Sequence, residues 1–210
     1  MGIAMGGFWE KKPPSEWTAE EIDKLITKSP WAKQVKAEYL SNPNSECSGG
    51  RGVWSEQPPL PRIGMPGGPV GFPTGGGGAP RSVKSEYEAT VRWESAEPIR
   101  LALKTKLTDV FAKHYVISVS GLPRIGGDDC KASTDNEDLK SLKQFATLGS
   151  THADAVERQV SASSNFLFGF PKSAIAADAK EVTFSAHLGR LSVKAKFNLK
   201  EMMYAGHLAL

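Results

Sequence analysis

The side chains best suited to acid–base chemistry in this chain are His114 and the neighbouring carboxylates Asp128 and Asp129. His114 opens a segment in which apolar and polar residues alternate, and the two aspartates follow the end of that segment in a turn-like sequence. Sites of this kind gather at the ends of sheets in crossover folds. A hydrolase-like enzyme whose site is assembled from these dispersed residues is therefore one functional alternative.

The other reactive side chains form no recognisable catalytic motif. The remaining histidines are scattered, at His152, His187 and His207, and no two histidines have the spacing of a helical metal site. No serine lies in a G-x-S-x-G elbow. The sequence thus predicts no bound metal and no cofactor, and it favours a non-enzymatic protein over an enzyme.

Two cysteines, Cys47 and Cys130, are too few for a disulfide framework and are not spaced as metal ligands. Cys130 follows "GGDD", and neighbouring carboxylates raise a thiol pKa, so it is a poor nucleophile. The pair leaves two alternatives, one bridge or none. An exported protein would favour a bridge between them.

The charge of the chain gives little support to nucleic-acid binding. The formal net charge is +3, from 26 basic and 23 acidic residues that are well mixed along the sequence. Lys194, Lys196 and Lys200 share the outward side of a predicted strand and could contact phosphates. A solvated face or a protected sheet edge explains them equally well, so a nucleic-acid-binding module is the less favoured alternative.

Periodicity predicts the elements that would position these residues. The segments "YEATVRWESA", "EPIRLALKTKL" and "HYVISVSGLP" indicate a strand, a helix and a strand, the material of a crossover unit. "NEDLKSLKQFATL" predicts a second helix, capped by Asp135, whose inward residues are Leu139, Leu142, Phe145 and Leu148. A strand through "VERQVSASSNFLFGF" and a hairpin turning at Gly189 and Arg190 complete the pattern. The expected fold is α+β, with a mixed sheet of about five strands and two helices.

A glycine- and proline-rich tract separates this domain from an amino-terminal arm. Residues 48–81 contain 11 Gly and 7 Pro, a composition that cannot bury enough apolar surface to offset its ordering entropy. They are predicted to be a flexible linker. The predicted organisation is therefore an arm at 1–47, docked on the main domain, a linker at 48–81 and the α+β domain at 82–210.

The arm is rich in tryptophan and contains one short predicted helix. Thr18 and Glu21 have the spacing of a capping box, and a helix of about ten residues from there is too short to be stable alone. It must dock, and tryptophans provide the area for docking. Two alternatives remain for these side chains, a clamp onto the main domain or anchors for a partner. The candidate partner-binding residues are Trp9, Trp17, Trp31 and, in the linker, Trp54.

The stretches "FWEKKPPSEWTAEEIDKLITKSPWAK", "VRWESAEPIRLAL", "YVISVSGLP" and "EVTFSAHLGRLSVKAKFNLKEMMYAGHLAL" together resemble a group of uncharacterised secreted proteins of acidobacteria. The resemblance runs along almost the whole chain. It implies export to the periplasm or the exterior, although the opening residues lack the pattern of a secretory signal. That group has no known activity, so the resemblance assigns no site residues.

The favoured function is a non-enzymatic interaction or structural protein of the cell envelope or the exterior. A protein partner or self-association fits this role, and no clear nucleic-acid site is expected. No run of about 18 apolar residues is present, so the sequence predicts no membrane-spanning helix.

Overall fold

The protein was analysed as a computed structural model, which describes residues 7–40, 86–122, 139–160, 164–189 and 191–210. Within these ranges, nine strands form one antiparallel sheet in the order β5-β4-β8-β9-β1-β2-β3-β7-β6, and β10 and β11 form a separate hairpin. The strands are β1 Ala32–Tyr39, β2 Glu86–Trp93, β3 His114–Leu122, β4 Ala146–Leu148, β5 Thr151–His152, β6 Ala155–Val160, β7 Ser164–Pro171, β8 Glu181–Leu188, β9 Leu191–Asn198, β10 Met203–Tyr204 and β11 His207–Leu208. The helices are α1 Phe8–Lys11, α2 Ala19–Thr27, α3 Glu97–Leu103 and α4 Leu139–Phe145, with single-turn 3-10 helices at Pro14–Glu16, Asp109–Phe111, Lys172–Ala174 and Leu199–Glu201.

The expectation of an α+β fold with a mixed sheet of about five strands was wrong. The protein is mostly β, a curled antiparallel half-barrel with few short helices. The predicted crossover unit does not exist, because β2 and β3 pair directly and antiparallel while α3 lies at the corner between them. One predicted strand is in fact two, β6 and β7. The central strand β1 had not been predicted.

The curl of the sheet is visible in the side chains that meet across its concave side. Strands β7 and β8 are not neighbours in the sheet, yet Phe168 and Phe184 lie with ring centroids 5.7 Å apart. Trp93 on β2 and Phe197 on β9 are also 5.7 Å apart, with their rings nearly perpendicular. These four aromatic side chains are fully buried, and they fill the interior of the half-barrel.

The two edges of the sheet meet at two consecutive residues. The Ala153 amide donates to the carbonyl of Ala146 in β4, and the Asp154 amide donates to the carbonyl of Gly169 in β7, each at 3.0 Å. The chain thus passes from one edge of the sheet to the other without a long connection. Helix α4 packs against β6 and β8 and covers this junction.

Helix α2 of the arm begins at the predicted capping box. The Thr18 hydroxyl accepts from the Glu21 amide at 3.2 Å, and a Glu21 carboxylate oxygen accepts from the Thr18 amide at 3.0 Å. Leu25 is fully buried, while Ile22 and Ile26 pack against the core beside it, so this short helix is docked through one apolar stripe. After α2 the chain enters the sheet as β1, between β9 and β2.

The second predicted helix ends earlier than its sequence pattern indicated, while its predicted cap, Asp135, lies outside the described residues. Helix α4 ends at Phe145, and the next three residues form β4. Only Leu142 of its predicted inward side chains is buried within the helix, whereas Leu139 and Phe145 are exposed. Leu148 is buried as part of β4. Pairing of residues 146–148 with β8 therefore overrides the helical pattern at this point.

Candidate functional site

An open groove lies between α3 and the carboxy-terminal hairpin, and we call it the α3–β11 groove. It has a volume of about 680 Å³. One wall consists of α3 and the residues that follow it, and the other consists of β11 and the residues after it. A cleft of this size falls in the range of ordinary ligand sites, which is about 300–1,000 Å³.

The α3 wall is fixed by the start and the end of a short helix. Pro98 occupies the first turn, where its missing amide hydrogen is not needed, and Pro98 and Ile99 are buried against the core. The helix ends at Lys104, which has left-handed backbone angles of φ 52° and ψ 31°. This conformation is uncommon for a lysine, since its Cβ crowds the backbone there.

The opposite wall is held in place by the aromatic cluster of the arm. The Trp31 indole is fully buried, and its Nε1 donates to the Ala209 carbonyl at 2.7 Å. The Ala209 amide donates to Met202 at 3.0 Å. The hairpin turns through Ala205 and Gly206, which both have positive φ, as a tight two-residue turn requires.

One polar contact joins the two walls of the groove. The ring nitrogen Nε2 of His207 on β11 lies 3.1 Å from a carboxylate oxygen of Glu97 on α3. Both side chains are about half exposed. The Glu97 carboxylate also affects Tyr204 on β10. Burial raises the pKa of the Tyr204 phenol, and the nearby Glu97 carboxylate raises it further by a smaller amount.

Most of the remaining groove side chains are basic or apolar, and Ser95 and Thr105 are the neutral polar ones. Arg100, Lys104 and Lys106 line the α3 wall. Leu101 on that wall is 40% exposed and Leu208 on the hairpin wall is 44% exposed, so two large apolar side chains face the same open space. The groove therefore offers cations together with apolar contact area.

Of the three residues proposed for acid–base chemistry, only His114 is described, and Asp128 and Asp129 lie outside the described residues. His114 begins β3, whereas the chain continues toward the aspartates from Leu122 at the other end of that strand. Its Nε2 instead lies 3.0 Å from Asp154, at the junction of the two sheet edges. Sequence reasoning did not select Asp154, because nothing in the sequence places it beside a residue 40 positions earlier.

The tryptophans of the arm form an edge-to-face aromatic cluster with Phe8. The ring centroids of Phe8 and Trp9 are 5.1 Å apart, those of Phe8 and Trp17 are 5.9 Å apart, and those of Trp9 and Trp31 are 5.4 Å apart. Trp17 and Trp31 are buried, and Trp9 is half-buried. Trp54, Cys47 and Cys130 lie outside the described residues.

The three lysines considered for phosphate binding do not share one strand. Lys194 and Lys196 are exposed on the convex face of β9, and Lys196 pairs with Glu181 at 2.8 Å. Lys200 lies in the turn after that strand. Strand β9 lies inside the sheet, between β8 and β1, so protection of a sheet edge does not explain its lysines.

Two further properties concern only the described ranges. No group of three or more histidine, cysteine, aspartate or glutamate side chains there is arranged to hold a metal ion. No helix in the same ranges is both long and apolar enough to cross a membrane.

No family model matches this chain, and no curated protein and no solved structure matches it either. Function must therefore be inferred from the geometry of the chain itself. The groove was not found from the sequence, because Glu97 and His207 are separated by 110 residues and no local pattern links them. Only the termination of α3 near a cluster of basic residues could have drawn attention to it.

Proposed function

We propose that this protein is a non-enzymatic interaction protein that holds a segment of a partner polypeptide in the α3–β11 groove. One observation carries the proposal: Leu101 and Leu208, on opposite walls, leave large apolar surface exposed beside three cations. Aromatic and apolar anchors seated in a groove, with a polar rim, supply most of the affinity in protein recognition. A rigid groove on a fixed hairpin is suited to that task.

A hydrolase-like enzyme is the second candidate, and it rests on the contact between His114 and Asp154 at 3.0 Å. A carboxylate that orients one ring nitrogen leaves the other nitrogen to act on a substrate. In His114 that other nitrogen, Nδ1, is buried and has no hydrogen-bond partner among the described residues. Because this nitrogen is shielded from solvent, the contact gives the enzyme candidate less support than the open groove gives the interaction protein.

We also propose that the protein acts in the cell envelope or outside the cell, as a member of the acidobacterial group that it resembles. The support for this location is the resemblance of the stretches quoted above. The same proposal predicts a bridge between Cys47 and Cys130. Mass measurement before and after reduction and alkylation of protein prepared under oxidising conditions tests it, and two free thiols would count against export.

Selection of random peptides displayed on phage, with the whole protein as bait, tests the proposed function. We expect peptides to be selected, and we expect Leu101→Ser to weaken their binding about tenfold, because an apolar anchor contributes more than about 1.4 kcal/mol. Val110→Ser is the matched control, since Val110 is 64% exposed and does not line the groove. Selected peptides that bind Leu101→Ser as well as the parent would contradict the proposal, and so would a failure to select any peptide.

A further inference from the structure

We infer that the partner segment bound by the α3–β11 groove is acidic, with carboxylates on either side of an apolar side chain. The inference rests on the proposed function and adds the chemistry of the partner. Three features of the described residues carry it: the unmatched charge of the groove, the conformation of Lys104 and the position of the two exposed leucines.

The charge of the groove is unmatched because Glu97, which has the one acidic side chain among the described residues that line it, already has a partner. Glu97 lies 3.1 Å from His207 on the facing wall. Within the part of the chain that the structure describes, Arg100, Lys104 and Lys106 make no ion pair. A ligand that brings carboxylates would therefore meet three cations without displacing an existing salt bridge.

The backbone at Lys104 gives independent support. Helices often end in a left-handed residue, and glycine is the usual residue there because it adopts that conformation without crowding. Lysine at this position, with φ 52°, is less favourable than glycine. A positive charge near a helix carboxy terminus offsets a part of this cost. Strain of this kind gathers at binding sites, where the side chain contributes to function.

The two leucines determine which kind of anion fits. A small anion such as phosphate would contact only the cations, and ion pairs exposed to water contribute little to affinity. It would leave Leu101 and Leu208 exposed to water. A polypeptide that carries carboxylates and an apolar side chain uses both features, because the apolar side chain can lie between the two walls.

Nucleic acid and membrane fit less well. Among the described residues, no phenylalanine, tyrosine or tryptophan lines the groove to stack on bases, and the net charge of the whole chain is only +3. A lipid surface would favour a convex apolar patch, whereas these leucines lie within a concave groove. The observations therefore favour an acidic peptide.

The test uses a labelled soluble peptide that alternates glutamate with leucine between glycine ends. Two matched peptides replace glutamate by glutamine or leucine by serine. We expect binding of the first peptide to weaken about tenfold in each matched peptide, and to weaken as salt is raised. Lys106→Glu should weaken binding at least about tenfold, whereas Lys194→Glu, on the convex face of β9, should leave it unchanged.

Each alternative outcome has a definite meaning. Equal binding of the glutamine peptide, or equal loss in the Lys106→Glu and Lys194→Glu variants, would overturn the inference. Binding of phosphatidylglycerol vesicles that depends on Lys106, without binding of the acidic peptide, would overturn it in favour of a membrane surface. If random peptides selected by phage display bind the groove but are not acidic, the inference fails while the proposed function stands.

Discussion

The two sides of the carboxy-terminal hairpin differ in what they do for the protein. On the side of the arm, Tyr204 and Ala209 are buried and the Ala209 carbonyl accepts from the Trp31 indole. On the side of α3, the side chains of His207 and Leu208 are exposed to the groove. The buried side fixes the backbone, and the exposed side is thereby presented in one arrangement. A binding surface built on a short hairpin requires this kind of support from the core.

Two side-chain contacts show the same contrast between burial and exposure. Arg92 contacts the Glu94 carboxylate through Nε at 2.9 Å and Nη2 at 2.5 Å, and the Ser118 hydroxyl donates to the same oxygen at 2.7 Å. In this cluster Glu94 and Ser118 are buried and Arg92 is partly buried, whereas Glu97 and His207 are about half exposed. The first pair is positioned to stabilise the fold, and the second to orient groove side chains.

The largest effect is expected from removing the support of the hairpin. Trp31→Ala should lower the free energy of unfolding by about 3–5 kcal/mol, since it deletes a fully buried indole and its hydrogen bond. Trp17→Ala, at a slightly less buried indole, should cost a few kcal/mol and lower the melting temperature of the whole protein. Chemical denaturation and thermal melts measure both.

Hydrogen exchange distinguishes a local role of the tryptophans, as a clamp that holds the hairpin, from a general loss of stability. The Ala209 amide, which donates to Met202, should exchange faster in Trp31→Ala than in a core variant of equal stability, such as Phe184→Leu adjusted with denaturant. If the melt of Trp17→Ala overlays the parent curve, the clamp is wrong, and the arm becomes the first place to look for a partner.

A smaller effect is expected from breaking the contact of Arg92 with Glu94 or that of His207 with Glu97. Arg92→Met should cost about 3 kcal/mol, because it leaves the buried Glu94 carboxylate without its counter-charge. His207→Gln should cost less than about 0.5 kcal/mol, because the pair that it breaks is exposed. Urea denaturation of both variants measures the difference. If both variants lost the same free energy of unfolding, the contact between His207 and Glu97 would also hold the hairpin in place.

Local sequence signals predicted the parts of the fold that depend on neighbouring residues. The capping box of α2 and the alternation of β8 and β9 are such parts, and the structure contains both. Strand β1 was missed because its alternation uses alanine and lysine, as at Ala37 and Lys36, and gives a weak pattern. Its burial comes from its two neighbours in the sheet, which lie far away in the sequence.

The candidate site could not be predicted for the same physical reason. Its walls come from α3 and β11, and they meet only because the sheet curls and the arm fixes the hairpin. The curl depends on aromatic contacts between non-adjacent strands, such as those of Phe168 and Phe184. No periodicity within one segment contains that information.

A modest gain in stability is expected at the turn of the hairpin. Ala205 has φ 49°, a conformation that asparagine tolerates better than alanine, so Ala205→Asn should stabilise the protein by about 0.5–1 kcal/mol. Ala205→Val is the matched control and should destabilise it, because a branched side chain is crowded at positive φ. Thermal melts check both. A stabilised turn should leave peptide binding intact, since the side chain at this position does not line the groove.

The smallest effect is expected at the capping box of the arm, whose residues do not line the groove. Hydrogen bonds from Lys12 at 2.7 Å and from the Thr18 amide hold the pKa of Glu21 below its ordinary value of 4.5. A carboxyl whose pKa is lowered in the folded state stabilises the protein above its unfolded pKa, and this contribution is lost as the pH falls through the folded pKa.

Glu21→Gln keeps the capping geometry but removes the charge. The melting temperature of the Glu21→Gln variant should therefore lie slightly below that of the parent at neutral pH, and this difference in melting temperature should disappear in acid. Glu20→Gln, in the same first turn, controls for the general loss of a negative charge near a helix amino terminus. A difference between Glu21→Gln and the parent that persists unchanged in acid would show that the charge of Glu21 does not support the arm.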